Sequence, residues 1–135
     1  MYIPIALNKE SREPIYHQIE QQLQTLIASG FLAPGNALPS IRVLAKELEI
    51  SVITTRRAYQ NLEASGFIET KQGKGTFVRE VPGDIKERVK SENVIESMQE
   101  AVHIAHTYDY TEEEMLVLFT QAMKAYFDEK KGESS

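Results

Sequence analysis

The chain has 135 residues, no cysteine and a formal net charge of −5. Its length suits one ordinary domain, or a small domain with an extension, and leaves no room for a binding module beside a full catalytic domain. Disulfide frameworks and thiolate metal sites are excluded. No apolar run approaches the ~20 residues of a membrane span, and the first residues lack the features of a signal peptide. We therefore expect a cytoplasmic protein with no membrane partner.

The charge is divided unevenly along the chain. Residues 1–79 contain nine Lys/Arg and seven Asp/Glu, whereas residues 80–135 contain six Lys/Arg and thirteen Asp/Glu. A slightly basic front half joined to an acidic rear half suggests two tasks. Together with the turn signal Glu80–Gly83, this predicts a first domain over residues 1–80 and a second segment over residues 81–135.

The first predicted helix runs from Pro14 to about Ser29, and Gly30 suits its left-handed C-cap. Its apolar residues recur at helical spacing: Ile15, Ile19, Leu23, Leu26 and Ile27. Residues 31–36 follow as a connector with a Pro-Gly turn signal.

Two short helices follow, each opened by a serine. Ser40 caps the second helix, whose apolar stripe has the spacing i, i+3, i+4, i+7: Ile41, Leu44, Ala45 and Leu48. Ser51 caps the third helix, which runs to about Ser65 and ends before Gly66. Two capped helices separated by a few residues indicate a helix-turn-helix.

Short β-type runs come next. Residues 67–70 and 76–78 flank the glycine-rich stretch Gln72–Gly75, which predicts a hairpin. A nucleotide-binding loop is disfavoured because such a loop opens a helix and this one joins two strands. A plain turn needs no function, whereas a wing would place Lys74 between two glycines against a DNA groove or its phosphates.

The third helix divides into two faces at about 100° per residue. One face must pack on the preceding helices: Thr55, Ala58, Tyr59 and Leu62. The other carries side chains suited to base edges, with Thr54 at its margin: Ile53, Arg56, Arg57 and Gln60. Arginine suits guanine, glutamine suits adenine and an apolar tip suits a thymine methyl. Arg42, near the start of the second helix, is a candidate phosphate contact. The alternative for each of these residues is an ordinary solvated side chain.

The rear segment contains two more predicted helices, spanning about Ile85–Thr107 and Thr111–Lys130, with a frayed tail Lys131–Ser135. Thr111 and Glu114 form a capping box. Two amphipathic helices of this size cannot bury both apolar faces alone. They either fold back on the first domain or, as we expect, associate with a second copy through Met98, Val102, Met115, Phe119, Met123 and Tyr126.

Other chemistry finds less support in the rear segment. Four residues at helical spacing suggest a metal site, but only two are imidazoles, so no metal is expected: Glu100, His103, His106 and Asp109. Four aromatic residues could line a small-molecule site in a ligand-gated regulator, or form interface core: Tyr108, Tyr110, Phe119 and Tyr126. No nucleophile–base motif is present, so neither an enzyme nor a cofactor is expected.

Taken in order, the motifs resemble the GntR family of bacterial regulators. The resemblance rests on six stretches over about residues 10–79: residues 14–19, 38–45, 54–59, 62–63, 66–68 and 73–78. It implies a winged helix-turn-helix that binds inverted-repeat operators as a homodimer. The two-helix rear segment resembles the YtrA-like subfamily, whose members often repress neighbouring ABC-transporter genes.

Carried onto this chain, the resemblance implies DNA contacts at Arg42, Ser51, Thr54, Arg56 and the wing residues Gly73, Lys74, Gly75 and Thr76. Val52 departs from the family pattern, because an arginine often follows the capping serine. Base reading would then depend more on Ile53, Arg56 and Arg57. The whole prediction is a mainly α fold with a small β-hairpin wing, followed by a two-helix dimerisation segment. A winged-helix module that binds a protein instead of DNA remains the competing class.

Overall fold

The computed structural model describes residues 3–133 and confirms the predicted mainly helical fold with a small β wing. In chain order, the elements are α1 Ile15–Ala28, β1 Ala37–Leu38, α2 Ile41–Leu48, α3 Val52–Ala64, β2 Ile68–Lys71, β3 Gly75–Val78, α4 Gly83–Thr107 and α5 Glu112–Glu133.

Helices α1, α2 and α3 pack around one apolar core. Ile19, Leu23, Leu44 and Leu62 from these helices are fully buried in it. The predicted packing face of α3 is therefore the buried one, with Thr55 also excluded from solvent. This packing orients the opposite face of α3 outward.

The sheet has three antiparallel strands in the order β1-β3-β2. Ile68 pairs with Val78 in the predicted hairpin, and Ala37 of β1 pairs with Phe77 on the other side of β3. The amide of Val78 also donates to the carbonyl of Asn36 at 2.9 Å. β1 was not predicted, because two residues are too few to show a period of two.

An N-terminal segment also packs on α1. The side-chain amide of Gln22 bonds both backbone groups of Ala6, at 2.8 and 2.9 Å. Gln18 does the same for Asn8, at 2.8 and 3.0 Å, and Ile3 is buried in the core. The two glutamines therefore act as partners for an irregular stretch of backbone, whose polar groups need hydrogen bonds when they leave water.

The chain divides into two compact units after Asn93. The sequence placed a division at 80/81, but Val81 and Val89 are buried in the first core and Ile85 packs against it. The amide of Asn93 donates to the hydroxyl of Thr25 at 2.9 Å. The stretch expected to be a linker is thus part of the first unit.

The second unit contains the end of α4, a bend and α5. Asp109 in the bend has a left-handed φ of 65°. The predicted capping box is confirmed: the Thr111 amide donates to Glu114 at 3.0 Å and the Glu114 amide donates to Thr111 at 3.2 Å. Helix α5 continues through Glu133, so residues 131–133 are helical where fraying was expected, and residues 134–135 lie outside the described range. None of the helices within residues 3–133 is long and apolar enough to cross a membrane.

Candidate nucleic-acid interface

A buried tyrosine of α3 is bonded to the segment that precedes α2. The hydroxyl of Tyr59 donates to the carbonyl of Pro39, just before α2, at 2.7 Å. Burial raises the pKa of Tyr59, and the negative charge of Glu47 raises it further. Leu44 and Leu62 pack in the same core. Buried contacts therefore set the orientation of α3 relative to α2.

Both helices of the motif begin at the predicted serine caps. The hydroxyl of Ser40 accepts from the Val43 amide at 3.2 Å. The hydroxyl of Ser51 accepts from the Thr54 amide at 3.0 Å and donates to the Thr54 hydroxyl at 2.8 Å. Such caps satisfy amides that an α-helix leaves unpaired at its start. Ser51 and Thr54, both expected to contact DNA, thus begin as a hydrogen-bonded pair.

The exposed face of α3 contains the side chains expected to read bases. Ile53 is 77% exposed, an extreme value for an isoleucine at the start of a helix. Three polar side chains share this exposed surface: Arg56, Arg57 and Gln60. Val52 and Thr54 are half-buried at the first turn. The structure therefore brings together, on one face, the residues that the periodicity placed there.

Arg57 differs from its neighbours because it is engaged with α1. Its guanidinium carbon lies 3.9 Å from the ring centroid of Tyr16. Nearby on α1, partial burial raises the pKa of Glu20, while a hydrogen bond from Asn61 and the charges of His17 and Arg57 oppose that rise. Sequence periodicity missed this contact, because it assigns faces within one helix and does not say which helix lies opposite.

Two other arginines of the helix-turn-helix have no such restraint. Arg42 is exposed at the second residue of α2, and Arg56 is exposed in the middle of α3. Neither forms an ion pair with any residue in the described range. Both guanidinium groups are free to bind an anion or a base edge.

The wing tip is a tight turn shaped by two glycines. Gly73 has a φ of 77° and Gly75 a φ of 123°, values that side chains with a Cβ rarely adopt. The Lys74 amide donates to the Lys71 carbonyl at 2.9 Å, which closes the turn and leaves the Lys74 side chain exposed. Thr76 follows, half-buried in β3. The tip can therefore present a lysine with little backbone bulk beside it.

A carboxylate of α3 is bound to the wing. Glu63 accepts from the backbone amide of Thr70 in β2 at 2.9 Å. Lys71, a second wing lysine that was not among the predicted contacts, lies 3.7 Å from Glu69 and 5.3 Å from the centre of the Phe77 ring. The wing and α3 are thus connected directly as well as through the core.

The rear unit exposes most of its apolar side chains. Met115 is half-buried, and the other residues expected at a dimer contact are exposed: Met98, Val102, Phe119, Met123 and Tyr126. Further apolar residues of this unit are also exposed: Val94, Ile95, Ile104, Leu116, Val117, Leu118 and Phe127. The described part of α5 contains no buried residue.

The bend between α4 and α5 forms an open depression. It is lined by Tyr108, Asp109, Tyr110 and Glu114. Tyr108 and Tyr110 were expected there, but Tyr126 instead packs edge-on against Phe127, with ring centroids 5.6 Å apart. Within residues 3–133 there is no group of three or more side chains placed to hold a metal ion.

Fold and interface define a DNA-binding transcription regulator of the winged helix-turn-helix type. The family model "Bacterial regulatory proteins, gntR family" matches residues 15–78. The chain is 34% identical over 107 residues to the HTH-type transcriptional regulator YhcF of Bacillus subtilis (strain 168), covering 79% of this chain and 88% of YhcF. The chain therefore belongs to the GntR family.

Two further comparisons agree with that assignment. The HTH-type transcriptional repressor YtrA of Bacillus subtilis (strain 168) is 42% identical over 76 residues, which are 56% of this chain and 58% of YtrA. A GntR family transcriptional regulator from Listeria monocytogenes has a TM-score of 0.66 at 26% identity, covering 83% of this chain and 97% of that one. The family and these relatives are transcriptional regulators, which confirms the prediction that the chain is not an enzyme.

Proposed function

We propose that the protein is a repressor that binds an inverted-repeat operator as a homodimer. The supporting observation is the exposed face of α3, where Ile53, Arg56 and Gln60 stand together on a helix whose other face is buried. Isoleucine, arginine and glutamine match a thymine methyl, a guanine edge and an adenine edge in the major groove. Arg42 and the wing residues contact the sugar–phosphate backbone of the DNA on either side of α3; these wing residues are Gly73, Lys74, Gly75 and Thr76.

The homodimer is supported by the rear unit. An exposed apolar surface spans two helices, and covering it with a partner is favourable because this removes apolar area from water. A second copy is the simplest partner, since a two-fold contact needs one self-complementary patch. The front half has a slight excess of basic residues, so two linked half-sites would also compensate for weak binding by one.

Repression and target genes follow from the family resemblance. YtrA is named a transcriptional repressor, and we extend that activity to this chain. The YtrA-like resemblance further suggests neighbouring ABC-transporter genes as targets. Both proposals depend on where the operator lies relative to a promoter.

Selection of bound fragments from a random DNA pool tests the operator. We expect an inverted repeat whose half-sites are centred about one helical turn, roughly 10 base pairs, or a multiple of it, apart. Affinity for the selected duplex and for a scrambled duplex would then be compared across a salt series. Equal affinity for both at every salt concentration would contradict sequence-specific control.

Transcription in vitro from a promoter containing the selected operator tests repression. We expect fewer transcripts when the protein is added, and no change on a template with a scrambled operator. An increase would reverse the sign of the regulation.

A second candidate function is regulation by a small molecule. The depression at the bend is the observation that favours it, because two tyrosines and two carboxylates line it: Tyr108, Tyr110, Asp109 and Glu114. Such a lining suits a cationic or hydrogen-bonding aromatic ligand. A thermal-shift screen of small cations and transporter substrates tests it, and a series without any stabilisation would argue against an effector at this place.

A protein-binding winged helix is the remaining competitor. Replacing Arg56 and Arg57 together by alanine separates the two classes, because it removes two candidate DNA contacts from α3. Regulation of a reporter that survives this double change would contradict DNA reading by α3.

A further inference from the structure

The two adjacent arginines of α3 have different surroundings. The Arg57 guanidinium is stacked on the Tyr16 ring, with its central carbon 3.9 Å from the ring centroid. Arg56 makes no ion pair or ring contact with any residue in the described range 3–133. The sequence pattern placed both in one set of base readers, but their contacts differ.

Stacking restrains Arg57 without using up its hydrogen bonds. A guanidinium that lies over an aromatic ring contacts it through its flat face, and its N–H donors point outward in the plane of the group. The planar fork that remains matches the oxygens of a phosphate. Tyr16 is itself half-buried and packs against the core of the winged unit, which supports the ring.

The direction in which the Arg57 side chain extends from α3 also affects which part of the DNA it can contact. While it lies against Tyr16, the Arg57 side chain leans toward α1 and away from the axis of α3. Glu20 lies on that same helix, and its negative charge favours this position of Arg57. Burial raises the pKa of Glu20, and the charge of Arg57 opposes that rise. In docking of this motif the bases lie ahead of α3, whereas the phosphates line the edges of the groove.

We propose that Tyr16 is a positioning residue that holds Arg57 as a phosphate clamp at the edge of the groove, so that of the two adjacent arginines only Arg56 keeps the base-reading role proposed above. The proposal rests on the proposed function, since it requires α3 to lie in the major groove. It gives a role in DNA binding to a residue of α1, outside the helix-turn-helix itself.

Salt dependence distinguishes a phosphate contact from a base contact. The affinities of full-length Arg57→Ala and Arg56→Ala would be measured on the selected operator and on a scrambled duplex, across a potassium chloride series. Arg57→Ala should weaken binding to both duplexes by a similar factor. It should also make the slope of log K against log salt shallower by about 0.9 per protomer. Arg56→Ala should weaken operator binding roughly tenfold or more beyond its effect on the scrambled duplex.

Tyrosine variants test the positioning role. Tyr16→Leu keeps an apolar side chain but removes the ring, and should lower operator affinity several-fold with the same change in salt slope. In the Arg57→Ala background it should add little. Tyr16→Phe keeps the ring and should behave as the wild type. Thermal unfolding of each variant, measured alongside, shows whether the domain remains folded.

Three results would overturn the inference. The first is an Arg57→Ala protein that loses operator affinity selectively and keeps the wild-type salt slope, which would make Arg57 a base reader. The second is a Tyr16→Leu protein that is less stable but has an unchanged slope, which would make the stack purely structural. The third is a Tyr16→Phe protein as defective as Tyr16→Leu. By contrast, a wild-type protein with no operator preference would contradict the proposed function itself.

Discussion

The two units of this chain use similar apolar side chains in opposite ways. In the winged unit, leucines, isoleucines and valines from helices and strands converge in one buried core. In the rear unit, comparable residues on α4 and α5 remain exposed, and the described part of α5 buries none. The first unit therefore has a core of its own, whereas the second would bury its apolar residues only against a second copy in the proposed dimer. The following changes test this contrast, beginning with the largest expected effect.

The first prediction concerns the exposed surface of α5. Replacing Phe119 and Met123 together by glutamate should convert the proposed dimer to a monomer, because it puts charge into the proposed apolar contact. Operator affinity should fall about 10²- to 10⁴-fold through loss of the second half-site. Sedimentation velocity measures the assembly, and fluorescence anisotropy with labelled operator measures the affinity.

Val117 provides the matched control for that change. It is also exposed on α5, 56% by area, but its helical position is opposite Phe119. Val117→Glu should leave both the dimer and the operator affinity intact. If Val117→Glu dissociates the dimer and the double variant does not, the contact surface has been assigned to the wrong side of α5.

The second prediction tests the core of the winged unit. Leu62 is fully buried, so Leu62→Ala should reduce the free energy of unfolding by about 2–5 kcal/mol. Ile53→Ala, at an exposed position of the same helix, should change it by less than about 0.5 kcal/mol. Urea denaturation at one fixed protein concentration compares them, and equal losses would contradict the assigned burial.

The third prediction compares helix N-caps in the two units. Ser51→Ala and Thr111→Ala each remove a side-chain acceptor that caps a helix. Each should lower the free energy of unfolding by about 1 kcal/mol, since capping acts locally whatever the helix packs on. Ser51→Asn, which keeps an acceptor, is the control, and it should retain most of the stability in the same urea experiment.

The smallest expected effect concerns the apolar tip of α3. Replacing single thymines of the selected operator by deoxyuridine removes one methyl group at a time. When the contacted thymine of one half-site is replaced, affinity should fall about fourfold, because a buried methyl-sized group contributes roughly 0.8 kcal/mol. The loss should vanish in Ile53→Ala. A wild-type protein insensitive to every such replacement would remove Ile53 from the set of base contacts.

Local patterns predicted the elements of the winged unit well, because its helices have a clear period and marked ends. Ser40, Ser51 and Gly66 placed the boundaries of α2 and α3, and the glycines around Lys74 placed the hairpin turn. The exposed face of α3 followed from helical geometry alone. These features depend on neighbours within a few residues, and the sequence contains that information directly.

Features that depend on distant parts of the chain were missed. β1 exists only because β3 offers it a partner, and Gln18 and Gln22 acquire their role only when the N-terminal segment lies beside them. Val81 looks like part of a linker until the core that buries it is known. The Arg57–Tyr16 stack belongs to the same group, since it joins two helices whose order of packing no periodicity specifies.

The hydrogen bond between Glu63 and the backbone of Thr70 has a consequence for how DNA is discriminated. It links the wing to α3 and restricts their relative movement. In the proposed binding mode, where both contact one duplex, affinity depends on the distance between the major groove and the neighbouring backbone, which varies with local bending and groove width. We expect substitutions in operator bases that no side chain touches to change affinity as well, because they alter the shape of the DNA that must fit this spacing.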